Sequence, residues 1–374
     1  MSLHYPFLVL GIANGGLFMA RQLRKEWPNA VIYAIGDTKD IGRYSNTINQ
    51  FFVASTEDDV LSSIEKVIKL TNGEPIHAYM CSNPMLECLV IHHPEVFGRL
   101  VFENSLDLYQ RIVDKTTVDQ WCRKLGIARP EEYSLKEQDI SSIVFPVVVK
   151  PLEKANTFGA SKCAYLNNQE ALVKYLNKTD GLGIHREDLV CQHCVEGDNR
   201  WEYGYGGYFK EGVPLIDICF HQFMQVPQGL CCYSREVTDV ELEQQIKNLV
   251  KLFLIDSKYN GFLEFDIKQD ALSKQLYLLD INPRPWRSVD MLAGKLGNSS
   301  VFHPQPLECK IVWRYRYREL FRRKNKKNIS YSDCKTLAKG RMVTQEALHD
   351  KKDRKPIRIQ RRNDVKDLIR KFKR

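Results

Sequence analysis

The chain of 374 residues has no long hydrophobic run, and this argues against a membrane-spanning helix. No apolar stretch approaches the ~18 residues that such a helix needs. The first residues, MSLHYPFLVLGIANGG, also lack the basic segment and the cleavage site of a secretion signal. We therefore expect a cytoplasmic protein whose eleven cysteines are reduced thiols rather than disulfides.

The net charge of +9 is unevenly distributed along the chain. Residues 306–374 contain 24 Lys and Arg against 8 Asp and Glu, a balance of +16. Residues 1–305 contain 31 Lys and Arg against 38 Asp and Glu, a balance of −7. We therefore treat residues 306–374 as a basic C-terminal extension of a mildly acidic body.

The start of this extension, CKIVWRYRYRELFRRKNKK, mixes cationic and aromatic residues. Trp313, Tyr317 and Leu320 have the spacing of one helical face, so a helix is predicted here. Such a helix packs on the body, binds an anionic inner-membrane surface or binds nucleic acid, and we rank these alternatives in that order. The chain end, DVKDLIRKFKR, predicts a short basic helix.

Short apolar strands alternate with amphipathic helical segments over residues 1–105, which predicts a parallel sheet covered on both faces. The sequence GIANGG follows the first strand, and Asp37 closes the second. A dinucleotide site, and hence a Rossmann oxidoreductase, is one interpretation. However, Ala13 stands where G-x-G-x-x-G needs its second glycine. A tight crossover also needs such glycines, and we prefer that simpler explanation.

The next segment, LYQRIVDKTTVDQWCRKLG, predicts one amphipathic helix ending at Gly126. The β-branched strand VVVK then brings Lys150 in front of Pro151, and a small polar loop at 159–162 leads into another strand. Such a loop can close its backbone N–H groups over phosphates. An ordinary hairpin with solvated lysines is the preferred explanation when the segment is taken alone.

The spacing Cys191-x-x-Cys194 invites comparison with zinc and redox sites. No second pair of ligands follows at zinc-ribbon spacing, and the motif does not open a helix. We interpret these cysteines as strand residues, one buried and one lining a cleft.

The segments FLEFDIKQ and LYLLDIN predict two strands joined by the turn DALS. Alternate residues of a strand share a face, which groups Leu278, Asp280 and Asn282. A symmetric hairpin places Glu264 opposite Asp280, and facing like charges are destabilising unless a cation neutralises them. Carboxylates and the Asn282 carbonyl are hard ligands that suit Mg²⁺ with substrate phosphates. The hairpin therefore predicts a magnesium–phosphate site.

Together these motifs resemble the ATP-grasp superfamily of carboxylate–amine ligases over about residues 1–305. The resemblance is carried, in family order, by the first domain and by VVVKP, NTFGASK, VCQHCVEGDN and FLEF…LLDINPRPW. It implies an α/β fold with a parallel-sheet pre-ATP-grasp domain at 1–105 and an ATP-grasp domain at 106–305. The latter has two α+β subdomains that clamp ATP, with a lid at about 140–195. The D-aspartate ligases and related amino-acid ligases look closest.

The resemblance also implies nucleotide contacts. Lys115 and Lys150 would contact the phosphates, with Lys150 at the α-phosphate. Three residues of the mobile loop would close over the β- and γ-phosphates: Gly159, Ser161 and Lys162. The adenine edge would pair with the backbone of Gln192, His193, Cys194 and Val195, and the ribose would be held by Asp198 or Asn199.

Metal, catalytic and substrate positions follow in the same way. Glu264, Asp280 and Asn282 would hold two Mg²⁺ ions, for which Mn²⁺ could substitute. Arg284 would face the acyl phosphate, and Lys162 would assist phosphoryl transfer. Proximity to these motifs nominates four substrate-pocket residues: Arg200, Trp201, Trp286 and Arg287.

The implied activity is amide-bond formation through an acyl phosphate, with release of ADP and phosphate. The substrates would be a carboxylate and an amine, with amino acids favoured, and a homodimer is a further expectation. Two departures stand out. The usual glutamate is Asp280 here, and the phosphate loop has one glycine. Both favour a rival interpretation, an ATP-binding sensor or assembly factor without turnover.

Overall fold

The computed structural model describes residues 6–151, 164–225, 231–315 and 342–372. The predicted phosphate-loop residues Gly159, Ser161 and Lys162 lie outside these ranges, as do Tyr317 and Leu320. Three sheets are formed within the described ranges, one in each of three layers of the molecule.

The first sheet is parallel throughout, with the order β3-β2-β1-β4-β5. Its strands are β1 (Phe7–Leu10), β2 (Ile32–Gly36), β3 (Gln50–Val53), β4 (His77–Met80) and β5 (Val101–Phe102). Helix α1 (Asn14–Glu26) packs on one face and α2 (Glu57–Leu70) on the other, as the alternating pattern predicts. The strand order reverses between β1 and β4, and in open α/β sheets the crevice at the carboxyl ends of the strands beside such a reversal is where ligands bind.

The connection out of this sheet is helical. A short α3 (Asn83–Leu86) continues into a π-helical segment, Glu87–His92, and a 3₁₀ segment, Pro94–Gly98. Two helices then follow, α4 (Leu106–Val113) and α5 (Lys115–Lys124). The prediction of one helix here is wrong because the Asp114 carboxylate accepts a hydrogen bond from the Thr117 N–H at 2.7 Å and starts a new helix.

The second sheet has the order β6-β9-β7-β8, and three of its four strands lie within the segment 140–195 that was predicted as a lid. Its strands are β6 (Glu132–Tyr133), β7 (Val147–Pro151), β8 (Ala164–Leu166) and β9 (Leu189–His193). Helix α6 (Gln169–Asp180) covers it, and Val147, Val149 and Leu172 form the centre of a core separate from the others.

The third sheet has the order β14-β13-β10-β11-β12-β15-β16. Its strands are β10 (Glu202–Lys210), β11 (Val213–Gln225), β12 (Cys231–Glu236), β13 (Gly261–Gln269), β14 (Leu276–Asn282), β15 (Lys310–Arg314) and β16 (Met342–Glu346). Helix α7 (Val240–Ser257) packs on one face through Ile246, Val250 and Phe253. The other face packs against α1 and α8 (Met291–Leu296).

The start of the basic extension is a strand, and the predicted helical face through Trp313 is wrong. Residues 310–314 pair with β12 on one side and with β16 on the other, and Trp313 is fully buried. Ile311 and Val312 are β-branched and favour a strand. The edge of β12 offers unpaired backbone groups, and a strand here can form hydrogen bonds with them.

The described end of the chain packs on the first domain. Helix α9 (Lys355–Phe372) follows Asp353, whose carboxylate pairs with the Arg21 guanidinium at 3.0 Å, both side chains being buried. Leu348 and Ile357 contact Leu17 in a small apolar cluster. Packing on the body, ranked first among the alternatives for this extension, therefore accounts for its described parts.

Two further expectations can be compared with the structure. Cysteines at the nine positions within the described ranges are thiols, with Cys191 buried and Cys194 half-buried. No helix in the described part of the chain is both long enough and apolar enough to span a membrane.

Candidate active site

The β13–β14 hairpin brings its acidic residues together, but in a different register from the one expected. Glu264 faces Asn282, and Asp266 faces Asp280. The prediction of Glu264 opposite Asp280 is therefore wrong by two residues. Because the side-chain period of a strand is two, the shift keeps all four polar residues on one face.

An irregularity in β14 separates this polar face from the hydrophobic core. The pairing slips between Asp266 and Ile267, so that Ile267 faces Leu278. Leu278 and Ile281 consequently both join the core, while Asp280 remains on the polar face. The expectation that Leu278 shares a face with Asp280 is thus wrong, because the extra residue of a bulge reverses the alternation.

Two carboxylates of the polar face are two residues apart on β13, with Glu264 buried and Asp266 half-buried. Burial, reinforced by the charges of Asp266 and Asp280, holds the pKa of Glu264 well above its ordinary value. Burial and the nearby Asp280 raise the pKa of Asp266 to about 6. Burial and neighbouring like charges both penalise the ionised form, so a cation bound beside these two carboxylates would be stabilising. This end of the hairpin is therefore built to receive positive charge.

Asn282 and Arg284 connect these carboxylates to the first domain. The Asn282 Nδ2 donates to Glu264 Oε2 and to Asp266 Oδ2, each at 3.2 Å. Its Oδ1 accepts from the Arg284 Nη2 at 3.1 Å. The Arg284 Nε donates in turn to Asn83 Oδ1, just beyond the end of β4. Arg284 therefore lies between the acidic cluster and the crevice of the first sheet.

Three cations face the acidic cluster from other elements. The Lys115 Nζ, at the start of α5, lies 4.0 Å from Asp280 Oδ2. Burial would raise the pKa of Asp280, but Lys115, Lys150 and Arg129 together lower it below its ordinary value. The Arg129 Nη1 is buried and forms no hydrogen bond with any described residue. The predicted phosphate ligands Lys115 and Lys150 thus converge on the hairpin.

The proposed adenine hinge is a strand end whose backbone is partly engaged. The His193 N–H donates to Glu131 O at 2.8 Å, and the Cys194 N–H donates to Pro146 O at 2.9 Å. The Gln192 side chain donates to Glu132 Oε1 at 2.7 Å. The Val195 N–H is bonded to nothing in the described part of the chain. Of the four hinge positions, Val195 is the one with an unused backbone donor for a purine.

The two ribose candidates differ in what their side chains can reach. Asp198 caps a short 3₁₀ turn and accepts hydrogen bonds from the Arg200 backbone and side chain. Asn199 is 1% exposed, and its carbonyl oxygen lies 3.1 Å from the His221 Nε2. Asp198, half-buried at the surface, is the better placed of the two.

The four substrate-pocket candidates do not form one surface. Trp286 is 1% exposed and stacks on Phe220, so its ring belongs to the core. Arg287 is half-buried and donates to the Cys231 carbonyl at 3.0 Å. Arg200 is 65% exposed and pairs with Asp198, while Trp201 covers Gly197. We therefore omit Trp286 from the substrate pocket proposed below.

The glycine-rich turn of the first domain is closed by protein. A Cβ at Gly15 would lie 2.7 Å from the Pro285 carbonyl oxygen, and one at Gly16 would lie 1.9 Å from the Gly11 carbonyl oxygen. The Asp37 carboxylate accepts hydrogen bonds from Lys39 and Thr38. These glycines serve tight packing of the crossover against the INPRPW segment, which is the simpler explanation preferred from the sequence.

Several site residues escaped sequence reasoning. Asp266 alternates with Glu264 and could have been nominated on that ground. Asn83 and Arg129 carry no local signal, because they meet the hairpin only in the tertiary structure.

Glu103 follows β5 and accepts a hydrogen bond from the Tyr208 hydroxyl, and burial raises its pKa to about 7. Cys81, two residues before Asn83, is buried, which raises the pKa of its thiol. The charge of Glu103 also raises this pKa, and that of Arg284 lowers it.

The donor set fits magnesium. Glu264, Asp266 and Asp280 offer hard oxygen ligands, and the raised pKa values of the first two show that a cation would be stabilising there. The three carboxylates are more widely spaced than the ligands of one bare ion. Within the described ranges, a closer set of potential metal ligands lies elsewhere, where one ligand atom each of Glu57, Cys88 and His93 lies within 4.8 Å of the other two. Waters, phosphate oxygens or a second ion would complete the coordination.

Comparison with known structures assigns the fold. A chain of N5-carboxyaminoimidazole ribonucleotide synthetase in complex with ADP matches with a TM-score of 0.62 at 13% identity, covering 80% of this chain and 75% of that one. The biotin carboxylase domain of the Hydrogenobacter thermophilus 2-oxoglutarate carboxylase, a dimer bound to MgADP and bicarbonate, matches with a TM-score of 0.60 at 12% identity. This match covers 80% of the present chain and 68% of the biotin carboxylase chain.

The chain therefore has the ATP-grasp fold, and the predicted α/β architecture is confirmed. Among proteins of known function, a D-aspartate ligase of Enterococcus faecium is 21% identical over 302 residues, which cover 75% of this chain and 71% of that protein. This similarity confirms the resemblance to the D-aspartate ligase group. No family model matches the chain.

Proposed function

We propose that the protein is an ATP- and Mg²⁺-dependent carboxylate–amine ligase that joins two small molecules, at least one an amino acid. The observation that carries the proposal is the convergence of Lys115, Lys150 and Arg129 on the buried acidic end of a hairpin. Binding of a magnesium–triphosphate group would neutralise both sets of charges at once. The similarity to a D-aspartate ligase supports an amino acid as the carboxylate substrate.

The positions of the side chains suggest which of them bind phosphate and which bind Mg²⁺. Lys115, Lys150 and the unbonded Arg129 Nη1 would bind phosphate oxygens and reduce the repulsion between ATP and an approaching carboxylate. Glu264, Asp266, Asp280 and the Asn282 amide would hold Mg²⁺, which neutralises the phosphoryl oxygens when bound. In the orientation described here, the Asn282 amide donates to the two carboxylates and its oxygen accepts from Arg284, so we propose that Asn282 positions the ligands and Arg284 in this state and binds the ion only if the amide is turned over.

Arg284 is the candidate for the second half-reaction. An amine displaces phosphate from an acyl phosphate through a tetrahedral oxyanion, and a guanidinium held by Asn83 and Asn282 is placed to stabilise that charge. The crevice between β1 and β4 would hold the carboxylate substrate. It offers Arg284, the N-terminus of α1 and the Asn14 Nδ2, which is buried and has no hydrogen-bond partner among the described residues.

The roles assigned to the remaining predicted residues stay proposals. We propose that the Val195 N–H pairs with adenine, that Asp198 holds the ribose and that Lys162 assists phosphoryl transfer. Arg200, Trp201 and Arg287 remain candidates for substrate contact. A second Mg²⁺, replacement by Mn²⁺ and a homodimer are likewise proposed from the resemblance.

The test is an ADP-release screen of amino-acid pairs with Mg²⁺, followed by mass spectrometry of the product. A ligase releases ADP and phosphate only with its substrate pair, and the product mass equals the sum of the substrates minus water. The rival function, an ATP-binding sensor, predicts MgATP binding with no ADP release across the screen. An oxidoreductase predicts NADH binding, whereas we expect only ATP to bind.

For residues 306–374 we propose packing on the body rather than binding to an anionic membrane. Strands β15 and β16 extend the third sheet, and Asp353 pairs with the buried Arg21. Deleting residues 306–374 is therefore expected to unfold the body, which circular dichroism would detect. A deletion variant that stays folded but no longer binds anionic vesicles would favour the membrane instead.

A further inference from the structure

A second cluster of metal-ligating side chains lies outside the candidate active site. Its members are Glu57, the first residue of α2, Cys88 in the π-helical segment, and His93 directly after it. One ligand atom from each lies within 4.8 Å of the other two. Cys88 is 3% exposed, whereas Glu57 and His93 are open to solvent on one side. We call this the Cys88 cluster.

The geometry points to a binding site for a zinc-type divalent cation at the Cys88 cluster, with Cys88 Sγ, His93 Nε2 and a Glu57 carboxylate oxygen as ligands. Thiolate, imidazole and carboxylate are the three ligand types of protein zinc sites. In a tetrahedral site with ordinary bond lengths these atoms are roughly 3.3–3.8 Å apart, so shifts on the order of 1 Å close the set. Water fills the fourth position.

The outer partners of the cluster are those that a metal-binding histidine requires. The His93 Nε2 faces Glu57 at 3.4 Å, while its Nδ1 faces Glu95 Oε1 at 3.4 Å. A ligating histidine commonly donates its other ring N–H to a carboxylate, which sets its tautomer and orientation. The His92 Nδ1 lies 2.6 Å from Glu57 Oε1 and so orients the carboxylate ligand as well.

The π-helical turn explains how residues five apart come together. The His93 N–H donates to the Cys88 carbonyl at 2.8 Å, which is the i→i+5 bond of a π turn. In a regular α-helix, with 3.6 residues per turn, residues 88 and 93 would point to different sides. Irregular turns of this type are often found at functional sites.

The charge around the cluster also favours a cation. Glu57, Glu87 and Glu95 all lie near enough to the Cys88 thiol for their charges to act on it. Three carboxylates thus surround a buried thiol. Binding a divalent cation releases the thiol proton and neutralises part of this negative charge. The bound ion would also fix the segment from Asn83 to His93 against α2.

The experiment uses the full-length protein in excess Mg²⁺, stripped with a chelator and then titrated with Zn²⁺ or Co²⁺. We expect one Zn²⁺ per chain, and with Co²⁺ a thiolate charge-transfer band in the near ultraviolet. Cys88→Ser and His93→Gln should each remove the band and weaken Zn²⁺ binding by about 100-fold or more. His92→Gln and Glu95→Gln, which alter outer partners, should weaken it by about 10-fold.

The chain offers matched controls. His303 pairs with Glu26 at 2.6 Å, as His92 does with Glu57, but the pair forms no such cluster with a cysteine among the residues that the structure describes. Cys309 is a half-buried thiol elsewhere. His303→Gln and Cys309→Ser should leave Zn²⁺ binding and the Co²⁺ band unchanged. Zn²⁺ binding by wild type no tighter than by Cys88→Ser, in variants with wild-type circular dichroism, would overturn the assignment, as would loss of the band in Cys309→Ser.

Discussion

Two parts of this chain carry residue types found at nucleotide sites, and they differ in what surrounds them. At the glycine-rich turn that leads into α1, Gly15 packs so closely on the Pro285 carbonyl that an added Cβ would lie 2.7 Å from its oxygen. At the end of the β13–β14 hairpin, buried carboxylates are joined by an amide and faced by Lys115 and Arg129. The glycines are explained by packing alone, whereas the raised pKa values of Glu264 and Asp266 show that a bound cation would stabilise the hairpin cluster.

The largest effect is expected from a change in the hairpin. Asp280→Asn removes the carboxylate that Lys115 and Lys150 face, and it weakens metal binding. We expect turnover to fall by about 10³-fold, measured as Mg²⁺-dependent ADP release. Asp180→Asn, the same change at an exposed helix end, should have no effect. Undiminished turnover of Asp280→Asn would remove this residue from the metal site.

The next change tests whether Arg284 acts on the reaction rather than on ATP. Arg284→Ala should lower turnover by about 10²–10³-fold, because the oxyanion loses its charged donor, while MgATP affinity changes only a few-fold. Turnover and equilibrium binding of ATP should be measured on the same preparation. Arg99→Ala, which breaks a surface ion pair with Glu65, is the control. A loss confined to ATP binding would contradict the assigned role.

At the glycine turn the expected effect is on stability. A Cβ at Gly15 would approach the Pro285 carbonyl to 2.7 Å, so Gly15→Ala should lower the free energy of unfolding by about 1–3 kcal/mol in urea denaturation. Gly98→Ala, with no atom within 4 Å of the added Cβ, should stay within about 0.5 kcal/mol of wild type. Equal stabilities would mean that Pro285 does not close the turn.

The smallest effect is expected on the pH dependence of stability and concerns His221. Its ring contacts the Asn199 carbonyl in the proposed ribose segment. Burial lowers its pKa to about 3, so the native state excludes a proton that the unfolded chain binds below about pH 6.5. Stability from this group is present above pH 6.5 and falls as the pH drops, by up to about 2 kcal/mol between pH 6.5 and 5. His221→Gln should reduce this dependence in urea unfolding.

The exposed His303 gives the comparison for that pH series, since its side chain is 81% exposed. His303→Gln should keep the wild-type dependence of unfolding free energy on pH. If His221→Gln also keeps it, the burial of His221 does not control its protonation.

Local patterns predicted the parallel first domain, the lysine strand and the acidic hairpin, because each depends on residues near one another in the chain. The hairpin register was not predictable, since the bulge before Asp280 depends on core packing of Leu278 and Ile281. The strand at Trp313 was missed for a related reason. Its structure is decided by the open edge of β12, which lies about 80 residues earlier in the sequence.

The candidate site residues also differ in whether their neighbours in the sequence or only the tertiary structure reveal them. Sequence reasoning nominated Glu264, Asp280, Asn282 and Arg284, which belong to one recognisable hairpin segment, and the structure brings them together. Asn83 and Arg129 come from separate elements and have no distinguishing neighbours, so only the tertiary structure could bring them to the hairpin. Trp286 was nominated by proximity in sequence, although its side chain is buried and stacks on Phe220.

The buried pair of Arg21 and Asp353 has a consequence for how the protein is made. These residues are 332 positions apart, and the Arg21 guanidinium also bonds the Leu348 and Asp353 carbonyls. While the ribosome is still translating the middle of the message, helix α1 carries a cation whose partners do not yet exist. Burying that charge alone costs free energy, so the N-terminal layer reaches its final packing only after the last strand and helix emerge.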